Sequence, residues 1–111
     1  MSDETVVTEV DPMVALLAAA KTYLQITWTD EETDARLTQL ILTGKDYLNN
    51  KCSEEMDYST PGVVQTLLFE FVRYGRDGAL DVFENNYRSL ILALQHERMV
   101  TVYVSSETDT V

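Results

Sequence analysis

The residues of this chain that could perform catalysis or bind a metal are few and far apart. Nucleophilic catalysis by a thiol needs a base close by, and the one cysteine, Cys52, stands far in sequence from the one histidine, His96. A zinc site needs about four cysteine, histidine or carboxylate ligands, and the sequence contains no such motif. We interpret Cys52 as an inert thiol at a helix end and His96 as a surface residue, and we predict no enzyme activity, no metal and no cofactor.

Acidic side chains cluster between Asp30 and Asp34. Calcium-binding loops need spaced oxygen ligands around an obligatory glycine, and this cluster lacks that pattern. The segment Thr29-Asp30-Glu31-Glu32 instead has the form of a capping box, in which Thr29 and Glu32 satisfy backbone donors at the start of a helix. Carboxylates there also lie at the positive end of the helix dipole. The cluster therefore predicts a helix that Thr29 caps.

Two further groupings resemble functional sites only superficially. Gly75-Arg76-Asp77-Gly78 contains glycines and a cation, but a phosphate-binding loop follows a strand and ends in lysine with serine or threonine. We interpret this segment as a hinge between two helices. Glu70 and Arg73 are three residues apart on one predicted helix, and this spacing is typical of a surface ion pair worth roughly a few tenths of a kcal/mol.

Four predicted helices must position these residues. Asp11-Pro12 is a strong helix start, because the aspartate can cap free N–H groups and the proline suits the first helical position. Apolar residues then recur at helical spacing over about residues 12–24, 30–50, 61–76 and 83–94. The pattern predicts an all-α fold, a small bundle of about four helices. Its predicted core includes Leu17, Leu37, Leu40, Ile41, Leu48, Leu67, Leu68 and Phe71.

The two ends of the chain differ from the helical part. Residues 1–11 carry acidic and no basic side chains, the reverse of a targeting segment, which predicts a protein that stays where it is made. Met99 to Val104 alternates valine with other β-prone residues and predicts a short extended segment. We therefore divide the chain into an acidic amino-terminal arm (1–11), a helical domain (12–98) and an extended carboxyl-terminal tail (99–111).

Charge limits the choice of partners. Eight basic against nineteen acidic side chains give a formal net charge of −11, and such a surface repels a nucleic-acid duplex. An acidic wall would nevertheless let DNA slide past without sticking, and acidity can equally serve solubility alone. No apolar run approaches the ~18 residues of a membrane span. The composition therefore disfavours both nucleic-acid wrapping and membrane insertion.

Three stretches of the sequence resemble the small head-tail connector, or adaptor, proteins of long-tailed bacteriophages. The first is Val14 to Ile26, which ends in Tyr-Leu-Gln-Ile, and the second is Asp30 to Asn50, which contains Leu40-Ile41 and Tyr47-Leu48. The third is the stretch from 61 to 76. Together with a weaker stretch at 79–95, they cover about three-quarters of the chain.

The resemblance implies a helical virion protein whose copies, commonly about a dozen, form a homo-oligomeric ring beneath the portal and join the DNA-filled head to the tail. The implied partners are further copies of the chain, the portal protein and a downstream tail or stopper protein. DNA would pass through the channel without specific binding. Such a protein is made in the host cytoplasm and resides at the head-tail interface of the virion.

Two other functions stay open at this point. The first is a monomeric acidic helical binding module, such as a DNA mimic or inhibitor that competes with nucleic acid for a basic protein. The second is an enzyme or enzyme subunit, which would need a cleft with convergent polar groups. Under the connector hypothesis, the tail contacts a neighbouring copy or the portal by strand addition. The alternative is that the tail lies across the protein's own helices. The predicted assembly contacts are Trp28, Met99, Val100, Val102, Tyr103 and Val104.

Overall fold

The computed structural model describes residues 11–110 of the chain, with side chains described as far as Met99. Its elements are four helices, α1 (Pro12–Tyr23), α2 (Glu31–Cys52), α3 (Val63–Arg76) and α4 (Leu80–Thr110), and the described part contains no strand. The predicted all-α class and the predicted number of helices are confirmed. Apart from Asp11, the predicted acidic arm lies outside the described residues.

The first two helices begin with aspartate caps. The Asp11 carboxylate accepts a hydrogen bond from the Met13 N–H at 2.8 Å, as its position before a proline predicted. At α2 the cap is Asp30, whose carboxylate accepts from the Thr33 N–H at 2.9 Å. The prediction that Thr29 caps this helix is therefore wrong by one residue. A charged carboxylate makes the stronger hydrogen bond to a backbone donor than a hydroxyl does.

The third helix begins later than its proline suggested. Its first residue is Val63, which follows Gly62, and no side chain caps it. Thr60-Pro61 repeats the cap-then-proline order of Asp11-Pro12, but the Thr60 hydroxyl donates to the Asp57 carboxylate, 3.4 Å away. A hydroxyl engaged in the preceding turn is not available to the helix, so the chain turns through residues 57–62 before α3 starts.

Glycines set the distance between α2 and α3, the two helices with the most extensive contact. Gly44 is buried, and a Cβ at this position would lie 2.8 Å from side-chain atoms of both Leu68 and Phe71. A Cβ at Gly75 would lie 2.7 Å from the Leu40 side chain. Gly44 follows Leu40 in α2, but its neighbours Leu68 and Phe71 precede Gly75, the neighbour of Leu40, in α3. The two helices therefore run antiparallel.

The core extends through all four helices. Its most buried large side chains are Leu37, Ile41, Leu48, Leu67, Leu68, Val72 and Phe83. Six of the eight predicted core residues are buried, whereas Leu17 and Leu40 are partly buried and pack against the core. In α1 the buried residues are Leu16 and Ala20. Leu17, the one predicted core residue of α1, therefore lies at the edge of this buried face.

The last helix contradicts part of the sequence analysis. Gly78 adopts a left-handed conformation with φ of 68° and produces the predicted break before α4. From Leu80 the backbone continues as a single helix to Thr110, so the prediction of an extended segment at 99–104 is wrong. Intrinsic β preference spans only about 1 kcal/mol and depends on a pairing strand. Extending an existing helix needs no new nucleus, and this favours the helical state.

The Gly44→Ala and Gly75→Ala substitutions should have different effects on stability. At Gly44 the added methyl meets the Phe71 ring inside the core, so we expect a loss of about 1–3 kcal/mol from overpacking, offset by about 1 kcal/mol of helix propensity. At Gly75 the added methyl meets only the flexible end of Leu40. In urea unfolding, the Gly75→Ala variant should therefore have the higher free energy of unfolding of the two. A higher value for Gly44→Ala would contradict the close contact at Gly44.

Candidate assembly surface

The predicted assembly contacts do not form one surface. Trp28 is 52% exposed and lies just before the start of α2. Met99 is 69% exposed, and its neighbour Arg98 donates to the Glu54 carboxylate just beyond the end of α2. Since α2 has 22 residues, the two ends are about 33 Å apart. The other predicted contacts, Val100, Val102, Tyr103 and Val104, lie on the helical backbone of α4.

The longest helix presents apolar side chains on more than one face. Phe83, Ile91 and Leu94 are buried against the rest of the bundle. The exposed large apolar residues of α4 are Leu80, Val82, Leu90, Leu92 and Met99. No helix within residues 11–110 is long and apolar enough to cross a membrane. Singly exposed apolar residues are common on protein surfaces.

A groove runs between α2 and α4. Its wider part has a volume of about 640 Å³ and lies beside the first turn of α4, and its narrower part, of about 270 Å³, continues toward Gln95. Tyr47, Lys51 and Glu84 line both parts. The wider part carries three carboxylates at its rim, Asp46, Asp81 and Glu84, and we name it the acidic groove. It is lined by Thr43, Asp46, Tyr47, Asn50, Lys51, Phe71, Leu80, Asp81, Phe83 and Glu84.

Aromatic rings form the floor of the acidic groove. The Phe83 ring centroid lies 5.5 Å from that of Phe71 and 6.2 Å from that of Tyr47. The Tyr47 hydroxyl donates to the Glu84 carboxylate at 3.0 Å, and the Lys51 ammonium lies 5.2 Å from the Tyr47 ring centroid. These contacts hold the floor rigid, because each ring is fixed by its neighbours.

Alkaline pH should loosen the contact between α2 and α4. Burial, and next the hydrogen bond to Glu84, raise the pKa of Tyr47 from 10.0 to about 12. Since the folded pKa lies above the unfolded one, the stabilisation is complete below pH 10 and is lost as pH rises from 10 to 12. We expect the urea concentration at the unfolding midpoint to fall as pH rises through this window. In the folded protein, the tyrosinate absorbance of Tyr47 at 295 nm should develop at a higher pH than that of a free tyrosine. Tyr47→Phe should remove one late-titrating group, and an unchanged titration would contradict the assignment.

A buried carboxylate, which does not line the groove, joins three helices. Glu70 of α3 is 8% exposed, and its Oε2 accepts from the Tyr23 hydroxyl at 2.5 Å and from the Arg73 Nε at 3.2 Å. Its Oε1 accepts from the Tyr87 hydroxyl at 3.0 Å. Burial, and next the hydrogen bond to Glu70, raise the pKa of Tyr87 to about 12. The cluster ties the end of α1 and the middle of α4 to α3.

The sequence analysis missed this role of Glu70. It predicted the ion pair with Arg73 but placed the pair on the surface, whereas the carboxylate is buried and has two tyrosine donors. A signal was present, because Glu70 stands between Phe69 and Phe71 within the apolar run 67–72. A charged residue inside an apolar run is usually buried with partners.

The one cysteine and the one histidine occupy different environments in the described structure. Burial, and next the charge of Glu54, raise the pKa of the Cys52 thiol, which keeps it protonated and unreactive near neutral pH. His96 is exposed on α4. Within residues 11–110, no group of three or more histidine, cysteine, aspartate or glutamate side chains is placed to hold a metal ion.

Comparison of the chain with protein-family models, with curated proteins and with solved structures gives no match. The functional argument therefore depends on the geometry and charge of the chain itself. Its main components are the acidic groove, the exposed apolar residues of α4 and the Glu70 cluster that fixes α4 against the bundle.

Proposed function

We propose that this protein is a structural subunit of a head-tail connector in a long-tailed bacteriophage. In this proposal its copies form a ring beneath the portal, and DNA crosses the central channel. The observation that carries the proposal is the length of α4. This helix has 31 residues, or about 46 Å, against 22 residues and about 33 Å for α2. Its last part continues beyond the end of α2, where Arg98 contacts Glu54.

Three further features support the same role. The fold is an all-helical bundle, as the sequence resemblance implies. Large apolar side chains are exposed on α4, where a portal or a neighbouring copy could cover them. The net charge of −11 suits a channel wall, because packaged DNA must move past it without binding. In this proposal Trp28 and residues 99–104 make separate contacts, the latter through a helix and not through an added strand.

Electron microscopy of the purified protein, alone and with its portal protein, tests the proposal. We expect rings of about a dozen copies, or a ring of this protein bound to the portal. The competing hypothesis, a monomeric acidic module that mimics DNA, predicts a monomer that competes with nucleic acid for a basic protein. A monomer that neither forms rings nor binds the portal would contradict the connector proposal.

The protein should show no appreciable affinity for duplex DNA at physiological salt. Neutralising phosphates takes clustered cations, and the eight basic residues are scattered among nineteen acidic ones. Fluorescence anisotropy with a labelled duplex measures this directly. Micromolar binding that weakens steeply as salt rises would overturn both this prediction and the proposed repelling channel.

A further inference from the structure

Copies of a chain with a net charge of −11 repel one another, so a contact between copies is favoured where unpaired cations of one copy meet carboxylates of the other. Five of the eight basic side chains have partners within the chain. Three of them form ion pairs, namely Lys21, Arg73 and Arg98. The other two, Lys45 and Lys51, lie over tyrosine rings. Among the described residues, Arg36, Arg76 and Arg88 have no hydrogen bond, ion pair or ring contact.

Two of these arginines, Arg36 and Arg76, flank the contact between α2 and the end of α3. Leu40 of α2 contacts Gly75 of α3. Arg36 stands one helical turn before Leu40, and Arg76 directly follows Gly75, and both arginines are exposed. We name this pair the arginine corner. Arg88 lies elsewhere, at the narrower part of the groove.

Several carboxylates in the described part of the chain are also engaged. Asp30 and Asp57 accept hydrogen bonds from their own cap or turn, while Asp34 and Glu54 pair with cations. The acidic groove differs, because it brings several carboxylates together on one concave surface.

The carboxylates of the acidic groove are largely available. Asp46 has only a 3.4 Å contact with Asn50 in the described structure. Asp81 is exposed on the first turn of α4, beside the exposed Leu80. A concave surface that combines free carboxylates with apolar and aromatic walls is suited to an arginine-bearing protein surface.

We propose that a second copy of this chain covers the acidic groove by placing its arginine corner against Asp46 and Asp81. This inference rests on the proposed ring and names the surfaces through which neighbouring copies meet. Guanidinium groups match carboxylates in a planar, two-pronged geometry, which gives the contact a defined orientation. The contact also lowers the repulsion between two acidic subunits at the place where they touch.

The two surfaces differ, so the contact is heterologous. Each copy offers its arginine corner to one neighbour and its acidic groove to another. Heterologous contacts generate a ring when the rotation between copies closes and a filament when it does not. The inference therefore accounts for a cyclic assembly of a single chain.

A charge exchange between two variants tests the inference. The first variant carries Arg36→Glu and Arg76→Glu, and the second carries Asp46→Lys and Asp81→Lys. Each variant alone places like charges in contact, and we expect its self-association to weaken at least about 100-fold in sedimentation velocity. An equimolar mixture restores opposite charges at every contact, so rings with alternating subunits should form again at close to the original concentration.

The control is a variant with Glu31→Lys and Glu55→Lys, which changes the net charge as much as the groove variant does but alters exposed residues that belong to neither surface. It should assemble as the unaltered protein does, and circular dichroism should show all variants folded. If the unaltered protein forms rings that neither variant disturbs, or if mixing restores nothing, the inference fails while the connector proposal stands. If the unaltered protein stays monomeric, even with the portal, both fail.

Discussion

Replacing Phe83 with alanine should lower the free energy of unfolding by about 3–5 kcal/mol. Phe83 is 1% exposed, and its ring lies within 5.0–6.2 Å of four other aromatic centroids, which belong to Tyr47, Phe71, Tyr74 and Tyr87. Removing the ring leaves a cavity that these neighbours cannot fill without losing their own contacts. Because domains of this size are stable by only about 5–15 kcal/mol, the variant should unfold at a much lower urea concentration.

Leu92→Ala is the matched control for Phe83→Ala. Leu92 lies on the same helix but is 57% exposed, so its truncation should change stability by less than about 0.5 kcal/mol. Urea unfolding followed by far-ultraviolet circular dichroism measures both. Equal effects of the two substitutions, or a cost below about 1 kcal/mol at Phe83, would show that α4 does not dock on α2 and α3 through this ring.

Ending the chain after Arg98 should abolish ring formation or portal binding while leaving the melting temperature nearly unchanged. The described contacts that hold α4 on the bundle lie between Phe83 and Arg98, and all are kept. The helical circular dichroism signal should fall only by the amount that residues 99–110 contribute to it. Electron microscopy and sedimentation velocity, compared with the full chain, measure the loss of assembly.

A chain that ends after Ser105 provides the control for this truncation. It keeps the apolar stretch 99–104 and loses only the polar end, so we expect it to assemble as the full chain does. A chain ending after Arg98 that still forms rings would show that the end of α4 is not an assembly contact. A chain that unfolds when truncated there would instead assign this segment to the stability of the bundle.

Local signals were sufficient to predict most of the fold. Apolar spacing predicted four helices, Asp11-Pro12 predicted the start of the first, and Gly78 marked the break before the last. Errors occurred where two neighbouring residues compete for one role. Asp30 replaces Thr29 as a cap, and the Thr60 hydroxyl donates to Asp57 within the preceding turn. Which residue caps a helix depends on the relative strength of hydrogen bonds among a few neighbouring residues. The spacing of apolar residues does not rank those hydrogen bonds.

The candidate surface could be predicted only in part. Trp28 and Met99 are exposed, which agrees with a contact role. They lie at opposite ends of α2, and this separation depends on how the helices pack. The acidic groove joins α2 to the first turns of α4, across a long interval of sequence. A helical pattern gives the buried face of each helix and not its neighbour. For the same reason the two tyrosine partners of Glu70 could not be read from the sequence.

The shared carboxylate of Glu70 makes α1 and α4 one cooperative unit. If the end of α1 detached, Glu70 would lose the Tyr23 donor, and the remaining bonds to Tyr87 and Arg73 would have to hold a partly buried charge alone. Opening of one helix therefore raises the cost of keeping the other in place. In local-unfolding experiments the amide protons of both helices should exchange through the same opening event, although α1 is the shortest helix of the bundle and α4 the longest.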